Sequence, residues 1–398
     1  MTELHGRLLL AGRLVPGKVR FDADRIVAVS EEPASAAGAE ELPVVAPGLV
    51  DLHVHGFGGC DPLEDLPGMA AALARAGTTA FQPTLFPAAP QRLGEQATQV
   101  WARAESWNGS AAGQGARVVG LHLEGPFVNP RRAGALPVAD LAEPSVQGLR
   151  SILGPATGSG RGVRTMTLAP ELPGAAPLVE ELARCGVRVS LGHSQATASE
   201  ARAAARAGAV GATHLFNAMG PLHHREVGLV GFALTDAALF AELIGDLVHV
   251  GPDALALALV ARGPRGLCLV SDALSGAGTG CERFHSHGRQ HIVHEGAAYF
   301  PAASPGAAPK LAGSALPQLE MVRRLVQRGV VSLAEALVMA SKTPARALGL
   351  ESELGRLAPG ARADLIVLEG PSHELVEVYT GGVRVSLETP SGVPSASG

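Results

Sequence analysis

Short apolar segments alternate with alanine-rich helical patterns along most of this chain, and this alternation constrains its fold more than any other feature. Runs rich in Val, Ile, Leu and Thr that alternate with helical patterns are typical of βαβ units and a parallel sheet. Candidate strands lie at 49–55, 78–84, 117–124, 164–169, 188–193, 210–214, 240–246 and 266–271. Predicted helices lie at 66–76, 90–104, 176–185, 198–207, 252–262 and 314–328. Eight strands in this pattern favour a closed (β/α)8 barrel, although an open doubly wound sheet shows a similar alternation.

Polar residues at the ends of the predicted strands favour the barrel over the open sheet. Five different strands end at or beside His55, Glu124, His193, His214 and Asp272. Barrel enzymes gather their catalytic residues at the C-terminal ends of the strands, whereas an open sheet would not bring five such ends to one point. We therefore predict an α/β fold with a (β/α)8 TIM barrel over residues 48–349.

The two ends of the chain have a different pattern from the middle. Residues 4–45 and 352–390 contain short alternating runs, and the second segment includes a Gly-Gly turn. Such runs are typical of β-hairpins. We predict that residues 1–47 and 350–398 together form a small β-sandwich domain.

Composition narrows the classes of partner. The net charge of −5 gives no basic surface for nucleic acid or an anionic membrane. No apolar stretch approaches the roughly 20 residues that a membrane span needs, and the apolar run at 8–11 is too short for a signal peptide. The four cysteines are far apart and form no C-x-x-C pair. We predict a soluble cytoplasmic protein that acts on a small molecule.

Several of the strand-end residues are of the types that bind metal ions. His53 and His55 share one face of a strand, because side chains at i and i+2 point the same way. H-x-H alone is a weak signal, since histidines also occur in cores and on surfaces. Two further histidines with a carboxylate make a set with an open coordination position, which is typical of catalytic zinc: Glu124, His193 and His214. Imidazole and carboxylate also accept iron, cobalt or manganese.

Asp272 is the candidate acid/base. It ends the eighth predicted strand, and metal-assisted hydrolysis needs a group that takes a proton from water and passes it to the leaving group. Helix capping or an ion pair is the structural alternative for this residue.

A serine mechanism competes with the metal mechanism. Ser194 lies in a segment that approximates a G-x-S-x-G/A nucleophile elbow. A serine hydrolase would leave the strand-end histidines and Glu124 without a purpose, so we rank it second. The histidine-rich segment 285–294 follows the eighth strand, and we interpret it as a solvated hairpin or loop.

The motifs together resemble a known family. In chain order they are PGLVDLHVHGFGG, GLHLEGPF, APE, GHS, GATHLFNAM, REVGLVG, SDA and LAGSAL. This series is similar to that of the N-acetylglucosamine-6-phosphate deacetylases of the amidohydrolase superfamily, and the resemblance covers about residues 3 to 370. The resemblance implies a metal-dependent barrel with a small β domain, usually a homodimer. It also implies a reaction that converts N-acetyl-D-glucosamine 6-phosphate to D-glucosamine 6-phosphate and acetate.

The resemblance also implies a role for each matching position. Glu124, His193 and His214 match the metal ligands, and Asp272 matches the catalytic acid/base. Residues that match those in contact with the substrate are Asn217, Ala218, Arg225 (at the phosphate) and His249 (near the reacting amide).

The resemblance leaves the number of metal ions at one or two per subunit. Some members lack H-x-H and hold a single ion, so His53 and His55 favour capacity for a second divalent ion. Related enzymes bridge two ions with a carboxylated lysine. The lysines of this chain lie on no predicted barrel strand, which leaves Glu124 as the obvious bridge.

Two leucines depart from the family pattern. Leu136 lies where a polar residue is expected, and Leu247 replaces a common glycine, so sugar specificity is open. The alternatives are another N-acyl substrate, such as an N-acyl-D-amino acid or N-acetylgalactosamine 6-phosphate, and a non-catalytic barrel used for binding.

Overall fold

The computed structural model describes residues 1–32, 41–109, 114–154, 162–302, 304 and 307–388. The strands in these residues are β1 (Thr2–Leu10), β2 (Arg13–Asp22), β3 (Arg25–Glu31), β4 (Val44–Pro47), β5 (Leu49–Val54), β6 (Thr78–Leu85), β7 (Arg117–Val118), β8 (Leu121–Glu124), β9 (Val163–Leu168), β10 (Arg188–Leu191), β11 (Ala209–Ala212), β12 (Phe240–Ile244), β13 (Leu267–Val270), β14 (Arg283–Ser286), β15 (Arg289–His294), β16 (Ala297–Phe300), β17 (Lys310–Ser314), β18 (Leu365–Glu369), β19 (Glu374–Thr380) and β20 (Val383–Arg384). The α-helices are α1 (Leu66–Arg75), α2 (Pro90–Asn108), α3 (Val146–Leu153), α4 (Ala175–Arg184), α5 (Ala198–Ala207), α6 (Gly228–Thr235), α7 (Pro252–Arg262), α8 (Gln318–Gln327), α9 (Leu333–Ala340) and α10 (Lys342–Ala347).

Eight parallel strands form the predicted barrel. They pair in the order β13-β12-β11-β10-β9-β8-β6-β5, and the short strand β7 also pairs with β6. A parallel bridge between Val54 and Ala273 joins the first strand to the segment after the eighth. Deeper in the barrel, the buried Gln318 side chain donates to the carbonyls of Val50 (3.1 Å) and Leu269 (2.7 Å). These contacts close the sheet, so the (β/α)8 prediction is confirmed.

The details of two predicted elements differ from the structure. The predicted strand 117–124 is two strands, β7 and β8, because the chain turns at Gly120. This residue has φ 116°, and a Cβ there would lie 2.6 Å from that of Arg164. The predicted helix 314–328 begins only at Gln318, because the preceding residues form β17.

The helix predicted at 198–207 is α5, and it begins with a capping box. Thr197 accepts from the Glu200 backbone N–H, and the Glu200 side chain accepts from the Thr197 N–H. The helix ends at Gly208, which has the left-handed conformation (φ 119°) that favours glycine. The predicted start and end of this helix are therefore confirmed.

Both ends of the chain meet in one seven-stranded sheet, ordered β20-β19-β18-β4-β1-β2-β3. The sheet curls over, since the Ile26 N–H at its β3 edge donates to the carbonyl of Ala361, just before β18. It encloses its own apolar core, which includes Leu8, Phe21, Ile26, Leu365 and Tyr379. A small β domain built from both termini is therefore confirmed, whereas the exact boundaries at 47 and 350 stay a prediction.

A third sheet, β14-β15-β16-β17, is antiparallel and follows the eighth barrel strand. The predicted hairpin in the histidine-rich segment is its β14–β15 pair. The interpretation of this segment as solvated is wrong for His291, which is buried between the rings of Phe284 and Phe300 at centroid distances of 5.0 and 4.9 Å. His287 packs edge-on against Phe86, at a centroid distance of 4.3 Å.

Across the described ranges, no helix has both the length and the apolar character needed to cross a bilayer.

Candidate metal centre

The predicted strand-end residues converge at one mouth of the barrel. Glu124 is the last residue of β8, and His55 follows β5 directly. Three other residues come two positions after their strands: His193, His214 and Asp272. The rings of His53, His55, His193 and His214 and the carboxylate of Glu124 are almost completely buried. Burial of so many titratable groups in one place is costly unless they are paired or bind an ion.

The backbone is unusual at three of these positions. His193 (φ 49°), His214 (φ 30°) and Asp272 (φ 48°) all have left-handed conformations although none is glycine. This conformation costs an L-residue roughly 1–2 kcal/mol, and such residues cluster at functional sites. The sharp turn after each strand therefore indicates that the position of the side chain is under functional constraint.

The first group consists of Glu124, His193 and His214. Glu124 Oε1 lies 2.9 Å from His193 Nε2 and 3.0 Å from His214 Nε2. The Nδ1–H of His193 has its own acceptor, the carbonyl of Arg132 at 2.8 Å. In the neutral ring, Nε2 of His193 is then an acceptor that faces a carboxylate oxygen, with no proton between them. A cation satisfies such a pair, so this donor set fits a divalent metal ion.

The second group contains the H-x-H pair. The Nε2 atoms of His53 and His55 lie 3.2 Å apart, and His55 Nε2 lies 3.2 Å from Glu124 Oε2. Glu124 Oε2 therefore faces the second group, whereas Oε1 faces both groups, because it also lies 3.5 Å from His53 Nε2. The lysines of the chain lie elsewhere, in β2, β17 and α10. Both groups have side chains that could hold a metal ion, and both include Glu124.

Asp272 lies beside the second group. Its Oδ1 is 3.4 Å from His53 Nε2 and 3.6 Å from His55 Nε2. Burial raises the pKa of Asp272 well above its ordinary value, and the negative charges of Glu124 and Glu242 raise it further. A carboxyl group whose pKa is raised in this way can hold a proton at the centre, as an acid/base must.

A cavity of about 180 Å³ lies over these residues. Its walls include Leu136, Asn217, Ala218 and His249, so three of the predicted substrate contacts lie around one space. A larger cavity of about 300 Å³ adjoins it and shares Phe86, Ala135 and Ala312.

Arg225 does not line this cavity. It lies on an exposed loop, where its guanidinium contacts His224 Nε2 at 3.0 Å. Within the described part of one chain, the structure therefore does not bring the predicted phosphate contact to the metal-binding groups.

A family model matches most of the chain. The amidohydrolase family model covers residues 44–390. The chain belongs to the amidohydrolase family. The matched range contains every barrel strand and the metal-binding groups.

Curated relatives of this amidohydrolase include two sugar-phosphate deacetylases. The N-acetylgalactosamine-6-phosphate deacetylase of Escherichia coli O157:H7 is 36% identical and covers 88% of this chain and 90% of its own length. The human N-acetylglucosamine-6-phosphate deacetylase is also 36% identical, and the match covers 93% of this chain and 89% of the human protein. A solved structure of the Mycobacterium smegmatis N-acetyl-D-glucosamine-6-phosphate deacetylase, in complex with N-acetyl-D-glucosamine 6-phosphate, superposes with a TM-score of 0.84. It is 31% identical and covers 97% of this chain and 99% of that one.

Ser194 has a structural role in this amidohydrolase. Its hydroxyl donates to Glu171 Oε2 at 2.7 Å and accepts from the Ala196 N–H at 2.9 Å. Glu171, from the APE motif, also accepts from Asn129 Nδ2 and the Gln195 N–H. The left-handed residue of the turn is His193 and not the serine. These contacts hold the loop that carries His193, and they do not make Ser194 a nucleophile paired with a histidine base.

Two important carboxylates were missed in the sequence. Asp246 orients His249, because its Oδ2 accepts from His249 Nδ1 at 2.6 Å and its Oδ1 accepts from the His249 N–H. Burial opposes ionisation of Asp246, but the hydrogen bond and charge of His249 outweigh it and lower the pKa of Asp246. Glu242 lies deeper, against His53. For Glu242, the signal available in the sequence was a charged residue inside the otherwise apolar strand FAELI.

Proposed function

We propose that this amidohydrolase deacetylates N-acetyl-D-glucosamine 6-phosphate in a metal-dependent reaction that yields D-glucosamine 6-phosphate and acetate. The observation that carries the proposal is the convergence of Glu124, His193 and His214. Asp272, which is largely buried and has a raised pKa, lies beside the adjoining pair His53 and His55. The deacetylases among its relatives, which match most of the chain, support the same substrate class.

We propose zinc as the ion and two ions per subunit. Each group has two histidine nitrogens and a carboxylate, a donor set that suits zinc, and the two groups share Glu124. When bound, a divalent cation polarises the amide carbonyl and makes water more acidic. In this account all five ligands have the roles predicted from the sequence: Glu124, His193, His214, His53 and His55.

Asp272 moves the proton in the proposed reaction. Its carboxylate takes a proton from the attacking water, whose oxygen forms a bond to the acyl carbon. The same proton then passes from Asp272 to the sugar nitrogen as the C–N bond breaks, so that acetate and the free amine leave. The raised pKa of Asp272 supports this role, because the group must hold the proton between the two steps.

His249 stabilises the reacting carbonyl. Since Asp246 accepts the Nδ1–H of His249, the other ring nitrogen is free to face the cavity. In the protonated ring, Nε2–H donates to the oxygen on which negative charge develops. We assign Asn217 and the backbone of Ala218, which also line this cavity, to contacts with the substrate.

The phosphate contact of Arg225 requires a second subunit in this proposal. Arg225 is exposed and lies among further cationic or titratable side chains, His223 and His224. A guanidinium suits a phosphate dianion. We propose a cytoplasmic homodimer in which Arg225 of one protomer contacts the phosphate bound by its partner. We further propose that residues 48–349 form the hydrolase domain and that 1–47 with 350–398 form the small domain.

A second candidate substrate is N-acetylgalactosamine 6-phosphate. The E. coli O157:H7 relative carries that name. Leu136, which is buried in the cavity wall, adds an apolar surface where the family has a polar residue. The two sugars differ only in one hydroxyl configuration, so the cavity wall decides between them.

Acetate release from four sugars tests the proposal. The substrates are N-acetylglucosamine and N-acetylgalactosamine, each with and without the 6-phosphate. We expect the phosphorylated glucose sugar to react fastest and the unphosphorylated pair to lose at least about tenfold in kcat/KM, which equals about 1.4 kcal/mol. Equal rates with and without the phosphate would refute the phosphate assignment.

Two variants test the mechanism on the same substrate. Asp272→Asn should bind metal normally and lose most of kcat. Ser194→Ala should retain far more activity, because the serine hydroxyl only holds a loop. The opposite ranking would support the serine mechanism.

A further inference from the structure

Glu242 lies beneath both metal-binding groups and has no role in the proposed reaction. It is in the middle of β12, and only 6% of its surface is exposed. Its Oε2 lies 3.1 Å from His53 Nδ1, in the second group. The same oxygen accepts from the backbone N–H of His214, in the first group, at 3.3 Å. One carboxylate oxygen therefore contacts a residue of each group.

A third metal ion is an alternative explanation for this carboxylate. His53, His122 and Glu242 have ligand atoms within 4.8 Å of one another. His122, however, is engaged elsewhere: its Nε2 lies 2.8 Å from Thr167 Oγ1, and its Nδ1 lies 3.4 Å from Thr84 Oγ1. His53 directs its other nitrogen toward Glu124 and His55. The geometry thus favours a carboxylate that acts through His53 over a separate ion site.

We propose that Glu242 is a positioning residue that prepares His53 to bind the second metal ion. Glu242 accepts the Nδ1–H of His53, and this fixes the tautomer in which Nε2 carries a lone pair. That lone pair faces the Nε2 atom of His55 and Oε1 of Glu124. Carboxylates that hold a ligand histidine in this way fix its tautomer and orientation. The inference rests on the proposed metal-dependent function.

The other ligand histidines differ in whether their Nδ1 atoms have a hydrogen-bond partner. His193 has a comparable partner, since its Nδ1 lies 2.8 Å from the Arg132 carbonyl. Within the described residues, the Nδ1 atoms of His55 and His214 have no hydrogen-bond partner. Glu242 therefore orients one ring of the second group directly, and in the first group it holds the backbone of His214, a ligand whose ring Nδ1 has no partner of its own. Its loss should weaken the second group most.

Metal titration of the Glu242→Leu variant, which has no acceptor for the Nδ1–H of His53, tests the inference. Full-length wild type and variant are stripped of metal, equilibrated with buffered zinc and analysed for zinc per subunit. We expect two ions in the wild type, and in the variant a second ion that binds about 10–100-fold more weakly while the first is retained. Glu242→Asp, which keeps the carboxylate, should restore part of the lost affinity.

A matched control separates this effect from general damage. Asp364 is a buried carboxylate in the small domain that accepts from the Gly381 N–H at 2.6 Å and from Arg362 at 3.1 Å. Asp364→Asn should bind two ions with wild-type affinity, and His53→Ala should lose the second. A Glu242→Leu protein that holds both ions as tightly as wild type would overturn the inference alone. A wild type without any zinc would overturn the proposed function as well.

The tautomer of His53 in metal-free wild type provides a second test that needs no variant. Long-range ¹H–¹⁵N spectra of histidine-labelled protein distinguish the two neutral forms of the ring. We expect His53 to carry its proton on Nδ1. A proton on Nε2 would overturn the inference even if the Glu242 variants failed to fold.

Discussion

Replacement of Asp246 by asparagine should reduce turnover while it leaves the metal-binding groups intact. Asp246 follows β12 and its side chain is completely buried beneath His249. The contact between its Oδ2 and His249 Nδ1 is short, at 2.6 Å. Asp246→Asn preserves the shape and can still accept the backbone N–H groups of Val248 and His249. The variant removes the negative charge and also places an amide N–H, which is a donor, opposite His249 Nδ1 in place of the acceptor Oδ2. The ring can then no longer donate from Nδ1 while it also carries a proton on Nε2.

The size of the effect follows from this contact. A hydrogen bond to a charged group contributes about 1.5–3 kcal/mol, and each 1.36 kcal/mol is a factor of ten in rate. If the hydrogen bond from the protonated His249 ring forms only in the transition state, loss of that hydrogen bond should reduce kcat by about 10–100-fold. KM should change little, because the ground-state carbonyl carries little negative charge.

Steady-state acetate release, with metal content measured on the same samples, provides the assay. The control is His249→Gln, which removes the ring and should lose at least as much kcat. The double variant should be no worse than His249→Gln alone, since both changes act through one group. An Asp246→Asn protein with wild-type kcat would refute the role of the pair, and so would additive losses in the double variant.

Three further predictions concern stability. Thr197→Ala removes the cap of α5 and should lower the free energy of unfolding by about 1 kcal/mol in urea melts, with kcat unchanged. Leu247 has φ 67°, so Leu247→Gly should relieve strain and raise the unfolding free energy by up to about 1 kcal/mol; a clear loss would mean that its side chain packs productively. The hydrogen bonds from the N-cap serine of α9 lower the pKa of Glu335. The contribution of Glu335 to the free energy of unfolding is therefore present above the ordinary carboxyl pKa and is lost as the pH falls through the lowered value. Glu335→Gln should therefore flatten the decline in stability toward acid, as followed by melts at several pH values.

Much of the barrel and of the metal-binding groups could be predicted because their signals are local. Apolar runs with regular spacing mark the strands, and the polar residue that ends each strand marks the mouth of the barrel. Glu124, His193 and Asp272 could be placed in this way from strand ends alone. The β domain formed by both termini could also be predicted, because its strands have short alternating patterns.

The contact between Glu242 and His53 could not be predicted because it joins two distant parts of the sequence. Glu242 and His53 are 189 residues apart, and no local pattern pairs them. His291 looked solvated because its neighbours are polar, yet Phe300 comes from another strand and buries it. Arg225 was expected beside the other substrate contacts, but in the structure it lies on an exposed loop and does not line their cavity.

The most direct test of the central claim combines metal analysis with acetate release from N-acetyl-D-glucosamine 6-phosphate. Freshly purified protein should contain divalent metal, release acetate, lose that activity when a chelator removes the metal, and regain it when zinc is restored. Asp272→Asn should retain the metal and release almost no acetate. Acetate release at the wild-type rate by protein that contains no metal would contradict the account, and so would full activity in Asp272→Asn.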